Sequence, residues 1–131
     1  MVLDTNIYIS AFIFPSGRAE KAVHAAMDGE FDLLISKPII LEVLEVLARK
    51  FGRNPEELSR VALFLADLAE IIRPRGKVRI LHDDPDNRVL ECAIKGQAEM
   101  IVTGDRAMLE LGTIEEVQIL SLRDFLNLIN K

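Results

Sequence analysis

The sequence predicts an α/β fold of three layers (α/β/α), in which helices cover both faces of a mainly parallel central sheet. Short apolar, β-prone stretches alternate with longer segments whose apolar residues recur at helical spacing. Two predicted strands end abruptly in polar residues, because Val2-Leu3 is followed by Asp4 and 100–102 is followed by Thr103-Gly104-Asp105. Ligands of open α/β sheets bind beyond the carboxyl ends of the strands. We therefore expect these two strand ends to lie side by side and to form the site.

Composition predicts one globular domain spanning 1–131. Half of the residues are hydrophobic and 28% are charged, which excludes a disordered chain. No apolar run approaches the ~20 residues of a membrane span, and Asp4 interrupts the start that a signal peptide would need. We therefore expect no membrane association. The single cysteine, Cys92, cannot form an internal disulfide and fits a cytoplasmic location.

The charge is distributed unevenly along the chain. The net charge of −5 argues against casual binding to nucleic acid. Residues 49–79, however, carry eight basic and four acidic side chains, a local charge of +4 that leaves −9 for the remainder. This basic segment is compatible with a polyanion held near a carboxylate-rich site. A solvated helix surface would give the same pattern.

Apolar periodicity and capping residues predict the elements in chain order. Gly29 follows the second helix in the position that favours a left-handed cap. Pro38 lies early in the third helix, where its missing N–H costs nothing. Asn54 is followed by Pro55 and Glu57, a strong helix start. Strands are predicted at 2–3, 31–36, 71–72, 99–103 and 117–120, and helices at 7–14, 18–28, 38–50, 55–70, 88–95, 105–111 and 122–130.

Two further stretches connect these elements. The segment 73–77 is rich in turn residues and is predicted to be a loop, whereas 78–81 is compatible with either a strand or a loop. No repeat, low-complexity tract or linker interrupts the chain, which favours a single domain.

Four carboxylates stand out by their positions: Asp4, Glu42, Asp86 and Asp105. Each also has a simpler interpretation. Asp86 and Asp105 each precede a predicted helix and could be N-caps. Glu42 shares a helical stripe with charged residues and could lie on a solvated face. Asp4 is the hardest to explain in this way, because a short acidic side chain directly after a buried strand needs a partner.

The sequence around these acids resembles the four motifs of the PIN domain family, and in particular its prokaryotic VapC-type toxins of toxin–antitoxin pairs. The four resembling stretches are Leu3-Asp4-Thr5-Asn6, the helix start from Ser36 to Glu42, the run from Asp84 to Ala93, and Ile101-Val102-Thr103-Gly104-Asp105. The resemblance implies that Asp4, Glu42, Asp86 and Asp105 are the acidic metal-site positions, supported by Asn6 and Thr103. It also implies metal-dependent ribonuclease activity, a small antitoxin as partner and a homodimer. Only three residues precede Asp4, fewer than is usual in the family, so the first strand is short or the true start lies upstream.

The clustering of four acids has a chemical consequence of its own. Two carboxylates about 4 Å apart repel by ~1 kcal/mol in water and by ~4 kcal/mol at an effective dielectric constant of 20. A divalent ion would relieve this repulsion at neutral pH, and oxygen-only ligands indicate Mg²⁺ or Mn²⁺. In this hypothesis Asp4 and Asp105 hold the principal metal, and Asp86 helps to bind it or orients the water. Glu42 assists through a water or a second metal.

Two other functions are compatible with the residues. In a phosphoryl-transfer domain Asp4 would be the nucleophile, but the haloacid-dehalogenase pattern has a second aspartate two residues on, where this chain has Asn6. A non-catalytic module that retains the fold and binds RNA or protein is the other alternative. Apolar positions on helices 38–50 and 55–70 would suit either the core or a homodimer interface.

Overall fold

The computed structural model describes residues 1–75 and 78–130, and this part of the chain confirms the α/β class. The strands are β1 Val2–Leu3, β2 Leu34–Ser36, β3 Glu70–Ile72, β4 Met100–Val102, β5 Thr113–Ile114 and β6 Val117–Leu120. The helices are α1 Thr5–Ile13, α2 Arg18–Met27, α3 Lys37–Phe51, α4 Pro55–Leu68, α5 Asp84–Lys95, α6 Arg106–Leu111 and α7 Leu122–Ile129. None of these helices combines the length and the apolar character needed to cross a membrane.

The six strands form one sheet in the order β3-β2-β1-β4-β6-β5, in which only β5 is antiparallel. The chain moves outward from β1 to β3 and then crosses back to β4. Helix α5 lies in this return connection and packs on β1, β2 and β4. The reversal also creates a switch point between β1 and β4, where Leu3 pairs with Val102. The predicted adjacency of these two strand ends is therefore confirmed.

The central strands are buried on both faces. Val2, Leu3, Ile101 and Val102 are all inaccessible to solvent, as expected of parallel strands covered by helices. Burial continues into the polar residues at the strand ends, since Asp4, Ser36 and Thr103 are also buried. Polar side chains are costly at such positions unless they find partners, so the strand ends are where chemistry is expected.

Local capping explains most helix boundaries. The Ser36 hydroxyl accepts a hydrogen bond from the Ile39 N–H, and Gly52 ends α3 with φ of 60°. Asn54 and Glu57 form a reciprocal capping box at the start of α4. Ser121 caps α7 by accepting from the Asp124 N–H. The starts of α3, α4 and α7 agree with the helices predicted at 38–50, 55–70 and 122–130.

Three expectations need correction or completion. Helix α5 begins at Asp84, because Pro85 fits its first turn, so Asp86 lies inside the helix and the N-cap alternative for Asp86 is wrong. Residues 78–81 form a loop and no strand. The hairpin of β5 was not predicted, because its turn uses Glu115 and Glu116 at positive φ in place of glycine or asparagine. Of the predicted loop 73–77, Gly76 and Lys77 lie outside the described residues.

Candidate functional site

A buried hydroxyl joins the two strand ends at the switch point. The Thr103 Oγ1 donates a hydrogen bond of 2.6 Å to Asp4 Oδ2 and accepts one of 3.0 Å from the Asp105 backbone N–H. The Asp4 N–H continues the sheet by donating to the Val102 carbonyl at 2.9 Å. Thr103 is inaccessible to solvent and Asp4 is 3% exposed. The carboxylate of Asp4 is thus held in one orientation by the sheet and by Thr103.

Asp105 is fixed at the start of α6. Its Oδ2 accepts a hydrogen bond of 2.9 Å from the Met108 N–H, so the residue is an N-cap as its position suggested. One carboxylate oxygen is therefore engaged with the helix. The cap does not exclude a second role, because a carboxylate has several further lone pairs that can accept or coordinate.

The third aspartate, Asp86, comes from helix α5 and not from a strand end. It lies in the first turn of that helix and is 7% exposed. Burial, followed by the charges of Asp4 and Asp105, raises the pKa of Asp86 to about 7. Interaction with the neighbouring Asp105 side chain also raises the pKa of Asp86.

The same environment acts on Asp4. Burial raises the pKa of Asp4, and the charge of Asp105 acts in the same direction. The Thr103 hydroxyl and the first backbone N–H groups of α1 act in the opposite direction. The charge of Asp105, at the end of β4, therefore acts both on Asp4 at the end of β1 and on Asp86 in the first turn of α5.

Glu42 lies outside this group of three. It is half-buried on α3, and burial followed by the charge of the neighbouring Glu45 raises its pKa. The charge of Asp83 also raises the pKa of Glu42, and the same Asp83 acts on Asp86. Asp83, which precedes the N-terminus of α5, thus lies near both Glu42 and Asp86, and Glu42 is on the rim of the site.

Asn6, the other residue singled out from the sequence, lies in the first turn of α1, two positions after Asp4, and is exposed to solvent. It is therefore accessible at the same end of the sheet. Its side chain makes no hydrogen bond with the described residues.

Three residues of α5 have a role that sequence reasoning did not assign. Asn87 bonds to the backbone of Leu81 in both directions at 2.8 Å. The Glu91 carboxylate accepts from the Val78 N–H at 2.8 Å and pairs with Arg88 at 2.9 Å, while Arg88 donates to the Val78 carbonyl at 2.7 Å. These side chains hold the loop 78–81 against α5, and this loop leads directly to Asp83. Their only sequence signal was their place in the motif that contains Asp86.

The donor set agrees with a hard divalent cation. Its groups are carboxylates, the ligands that Mg²⁺ and Mn²⁺ prefer. Among the residues that the structure describes, however, no three His, Cys, Asp or Glu side chains converge closely enough to form a preassembled metal centre. The residues therefore fit the ion in chemistry, and because the pKa of Asp86 is raised, ion binding would be coupled to loss of its proton.

The fold places Asp4 and Asp105 beyond the carboxyl ends of β1 and β4, at the switch point of a mainly parallel α/β sheet. A family model described as PIN domain matches residues 1–107. The chain therefore belongs to the PIN domain family, whose members are generally nucleases and typically use divalent metals.

A relative in Methanocaldococcus jannaschii, named only as an uncharacterized protein, is 27% identical over 115 residues. The match covers 85% of this chain and 74% of the relative.

Proposed function

We propose that this PIN domain is a Mg²⁺- or Mn²⁺-dependent ribonuclease whose site consists of Asp4, Glu42, Asp86 and Asp105. The observation that carries the proposal is the juxtaposition of three aspartates from separate elements, of which Asp4 and Asp86 are buried, with a pKa of about 7 at Asp86. Repulsion among these groups is the kind of destabilisation that a divalent cation relieves. RNA is the proposed substrate because the match to the PIN domain family suggests it.

Each side chain has a defined task in this proposal. A bound ion would supply a water of lowered pKa and neutralise charge on the leaving oxygen. Asp4 and Asp105 would hold that ion, and Thr103 keeps the Asp4 carboxylate oriented toward it. Asp86 would complete the ligand set or hold a proton at its carboxyl, since its pKa lies near neutrality.

Two polar residues would act at the edge of the site. Glu42 would assist from the rim, through a water or a second ion. Asn6 is exposed and would contact the substrate with its amide group.

The direct test is cleavage of a labelled single-stranded RNA in millimolar Mn²⁺. Asp4→Asn is expected to abolish cleavage while the protein remains folded. The matched control is Asp67→Asn, the same chemical change at an exposed position on α4, which is expected to retain full activity. Undiminished cleavage by Asp4→Asn would contradict the proposed site.

We further propose that the chain acts as the toxin of a toxin–antitoxin pair, as a cytoplasmic homodimer restrained by a small antitoxin. Apolar side chains that remain exposed on α3 and α4, Phe51 and Leu63, support an interface on these helices. Light scattering of the purified protein is expected to give twice the monomer mass. The variant Leu63→Glu is expected to give the mass of a single monomer. Induced expression is expected to arrest growth unless Asp4 is replaced by Asn.

A non-catalytic module that binds RNA or protein is the second candidate. The absence of a preassembled three-ligand centre among residues 1–75 and 78–130 favours it. Titration calorimetry with Mn²⁺ separates the two functions, because the nuclease must bind the ion and the module need not. A phosphoryl-transfer role for Asp4 has less support, since Asp4 is buried and one of its oxygens is occupied by Thr103.

A further inference from the structure

The first turn of α5, which carries Asp86, lacks the usual side-chain cap. Asp83 occupies the N-cap position, but within the part of the chain that the structure describes its carboxylate accepts no hydrogen bond from the helix. The first turns of α3, α4, α6 and α7 are each capped by a side chain. Because uncapped helix ends fray, the turn that holds Asp86 needs another support.

The side chain of Asn87, the residue after Asp86, bonds to the loop 78–81. Its Oδ1 accepts from the Ile80 N–H at 3.1 Å and from the Leu81 N–H at 2.8 Å, and its Nδ2 donates to the Leu81 carbonyl at 2.8 Å. Asn87 is 3% exposed, so water competes little for these bonds. An amide can accept and donate at once, whereas an ionised carboxylate cannot donate. These three bonds form a clamp, the Asn87 clamp, between the first turn of α5 and the loop.

A second attachment holds the other end of the same loop. Arg88 donates to the Val78 carbonyl at 2.7 Å, and the Glu91 carboxylate accepts from the Val78 N–H at 2.8 Å. Arg88 and Glu91 pair with each other at 2.9 Å. The loop is therefore fixed at its start by one pair of side chains and at its end by Asn87, so it is a firm anchor for the helix.

The clamp and the site act on neighbouring residues of one helical turn. Asp86 and Asn87 are consecutive, so their side chains leave α5 about 100° apart. Asn87 faces the loop, whereas Asp86 is close enough to Asp4 and Asp105 to experience their charges. Repulsion between like charges tends to displace the turn that carries Asp86. The clamp opposes this displacement because it ties the same turn to the loop.

We propose that Asn87 is a positioning residue of the site, which holds the first turn of α5 so that Asp86 stays beside Asp4 and Asp105. The inference rests on the proposed ribonuclease function and adds a residue that acts on the reaction through another. Because Asn87 is buried and its amide is engaged by the loop, it does not contact the substrate. Loss of the clamp should therefore slow cleavage without weakening the binding of RNA.

The first test is amide hydrogen exchange, followed by NMR in EDTA, which reads the clamp without any metal or substrate. In the wild type the amides of Ile80 and Leu81 are expected to exchange at least roughly 10-fold more slowly than in an unfolded chain. Asn87→Ala is expected to abolish this protection and to speed exchange at Asp86. Unprotected Ile80 and Leu81 in the wild type would overturn the inference, whether or not the variant folds.

The matched control is Asn54→Ala, the same chemical change at a residue that supports a different helix. Asn54 caps the first turn of α4 by accepting from the Glu57 N–H at 2.9 Å, and none of the four acids lies in that turn. Both substitutions remove a support of one helix end, so both are expected to lower stability. Exchange in the loop 78–81 is expected to change only in Asn87→Ala.

The second test is the kinetics of Mn²⁺-dependent cleavage, at a temperature where circular dichroism shows the variants to be folded. Asn87→Ala is expected to lower kcat roughly 10- to 100-fold, the usual effect of losing a group that orients a metal ligand, and to leave KM for RNA within about twofold. Asn54→Ala is expected to keep the kcat of the wild type. Equal kcat values for the two alanine variants would overturn the inference.

The conservative variant Asn87→Asp keeps the acceptor oxygen for Ile80 and Leu81 and loses only the donor, so its kcat is expected to lie between those of the wild type and Asn87→Ala. If Asn87→Ala does not fold, a wild-type kcat in Asn87→Asp would overturn the inference.

A wild type that does not cleave RNA would contradict the nuclease proposal, and the Mn²⁺ dissociation constant then becomes the readout. Calorimetry is expected to show a constant at least roughly 10-fold higher for Asn87→Ala and unchanged for Asn54→Ala. The same constant in both variants, or no Mn²⁺ binding by the wild type, would overturn the positioning role of Asn87.

Discussion

The Thr103 hydroxyl donates a 2.6 Å hydrogen bond to the Asp4 carboxylate across a distance of 99 positions in the sequence. This bond links the carboxyl ends of β1 and β4 at the switch point of the sheet. It is also the contact that satisfies the buried Asp4 Oδ2, so the orientation of the central acid depends on it.

Replacement of Thr103 by valine tests this relationship, because the two side chains have similar shapes and only the hydroxyl is lost. Thr103→Val is expected to destabilise the protein by about 1–3 kcal/mol, since a buried carboxylate oxygen is left without its partner. Activity or Mn²⁺ affinity is expected to fall roughly 10- to 100-fold, the usual effect of losing a group that orients a metal ligand. The exposed Thr113 provides the control Thr113→Val, which should be neutral in both assays. Equal behaviour of the two variants would remove Thr103 from the site.

The raised pKa of Asp86 predicts how stability depends on pH. Because the pKa is about 7 in the folded protein and near 3.8 when unfolded, the folded state holds this proton more tightly. The stabilisation that comes from this proton is complete below the pKa of Asp86 in the unfolded chain, and it is lost as the pH rises through about 7. Urea denaturation in EDTA should therefore show a loss of about 2 kcal/mol between about pH 5.5 and about pH 8. Asp86→Asn should remove most of this loss and Asp67→Asn should not. A metal-free protein that became more stable over this interval would contradict the proposed electrostatics.

Much of this architecture could be predicted from the sequence because the signals were local. Pro38 and Asn54 predicted helix starts, and apolar runs ending in Asp4 and Asp105 predicted which strand ends meet. The loop 78–81 could not be assigned, because its backbone groups bond to Asn87, Arg88 and Glu91 of α5 and not to a neighbouring strand.

The position of Glu42 was beyond sequence reasoning for a related reason. Helical spacing indicates which residues share a face, but it does not give the distance between that face and a pocket on another element. In the structure the charge of Asp83 raises the pKa of both Glu42 and Asp86, and no sequence pattern singled out Asp83. The resemblance to PIN domain motifs supplied the candidate acids without their relative distances.

The variant Glu42→Gln tests whether Glu42 is a rim residue or a ligand of the principal metal. Saturating Mn²⁺ at a hundred times its dissociation constant should stabilise the wild type by about 2.7 kcal/mol and raise the melting temperature by about 10 °C. This gain should persist in Glu42→Gln and disappear in Asp4→Asn, whereas cleavage should fall in both. Glu45→Gln, one helical turn away, is the control and should retain cleavage. Loss of the Mn²⁺ effect in Glu42→Gln would instead make Glu42 a primary ligand.

The hydrogen bonds around Glu91 predict a large stability cost for a small change. Glu91→Gln removes the closer acidic partner of the mostly buried Arg88, while Asp84 remains 3.6 Å from it, and loss of such a charged hydrogen bond costs about 2 kcal/mol. The matched substitution Glu45→Gln affects an ion pair with Arg49 that is more than half exposed, and should cost less than about 1 kcal/mol. Chemical denaturation measures both. Similar small costs would show that the loop 78–81 does not depend on this pair.

The position of a bound ion is the most direct measurement of the central proposal. A crystal soaked in Mn²⁺ at about pH 8, where Asp86 is mostly ionised, should show an anomalous peak about 2.1 Å from carboxylate oxygens of Asp4 and Asp105, with Asp86 turned toward it. A saturated crystal without a peak between these side chains, from a protein that still cleaves RNA, would contradict the assignment of the active site.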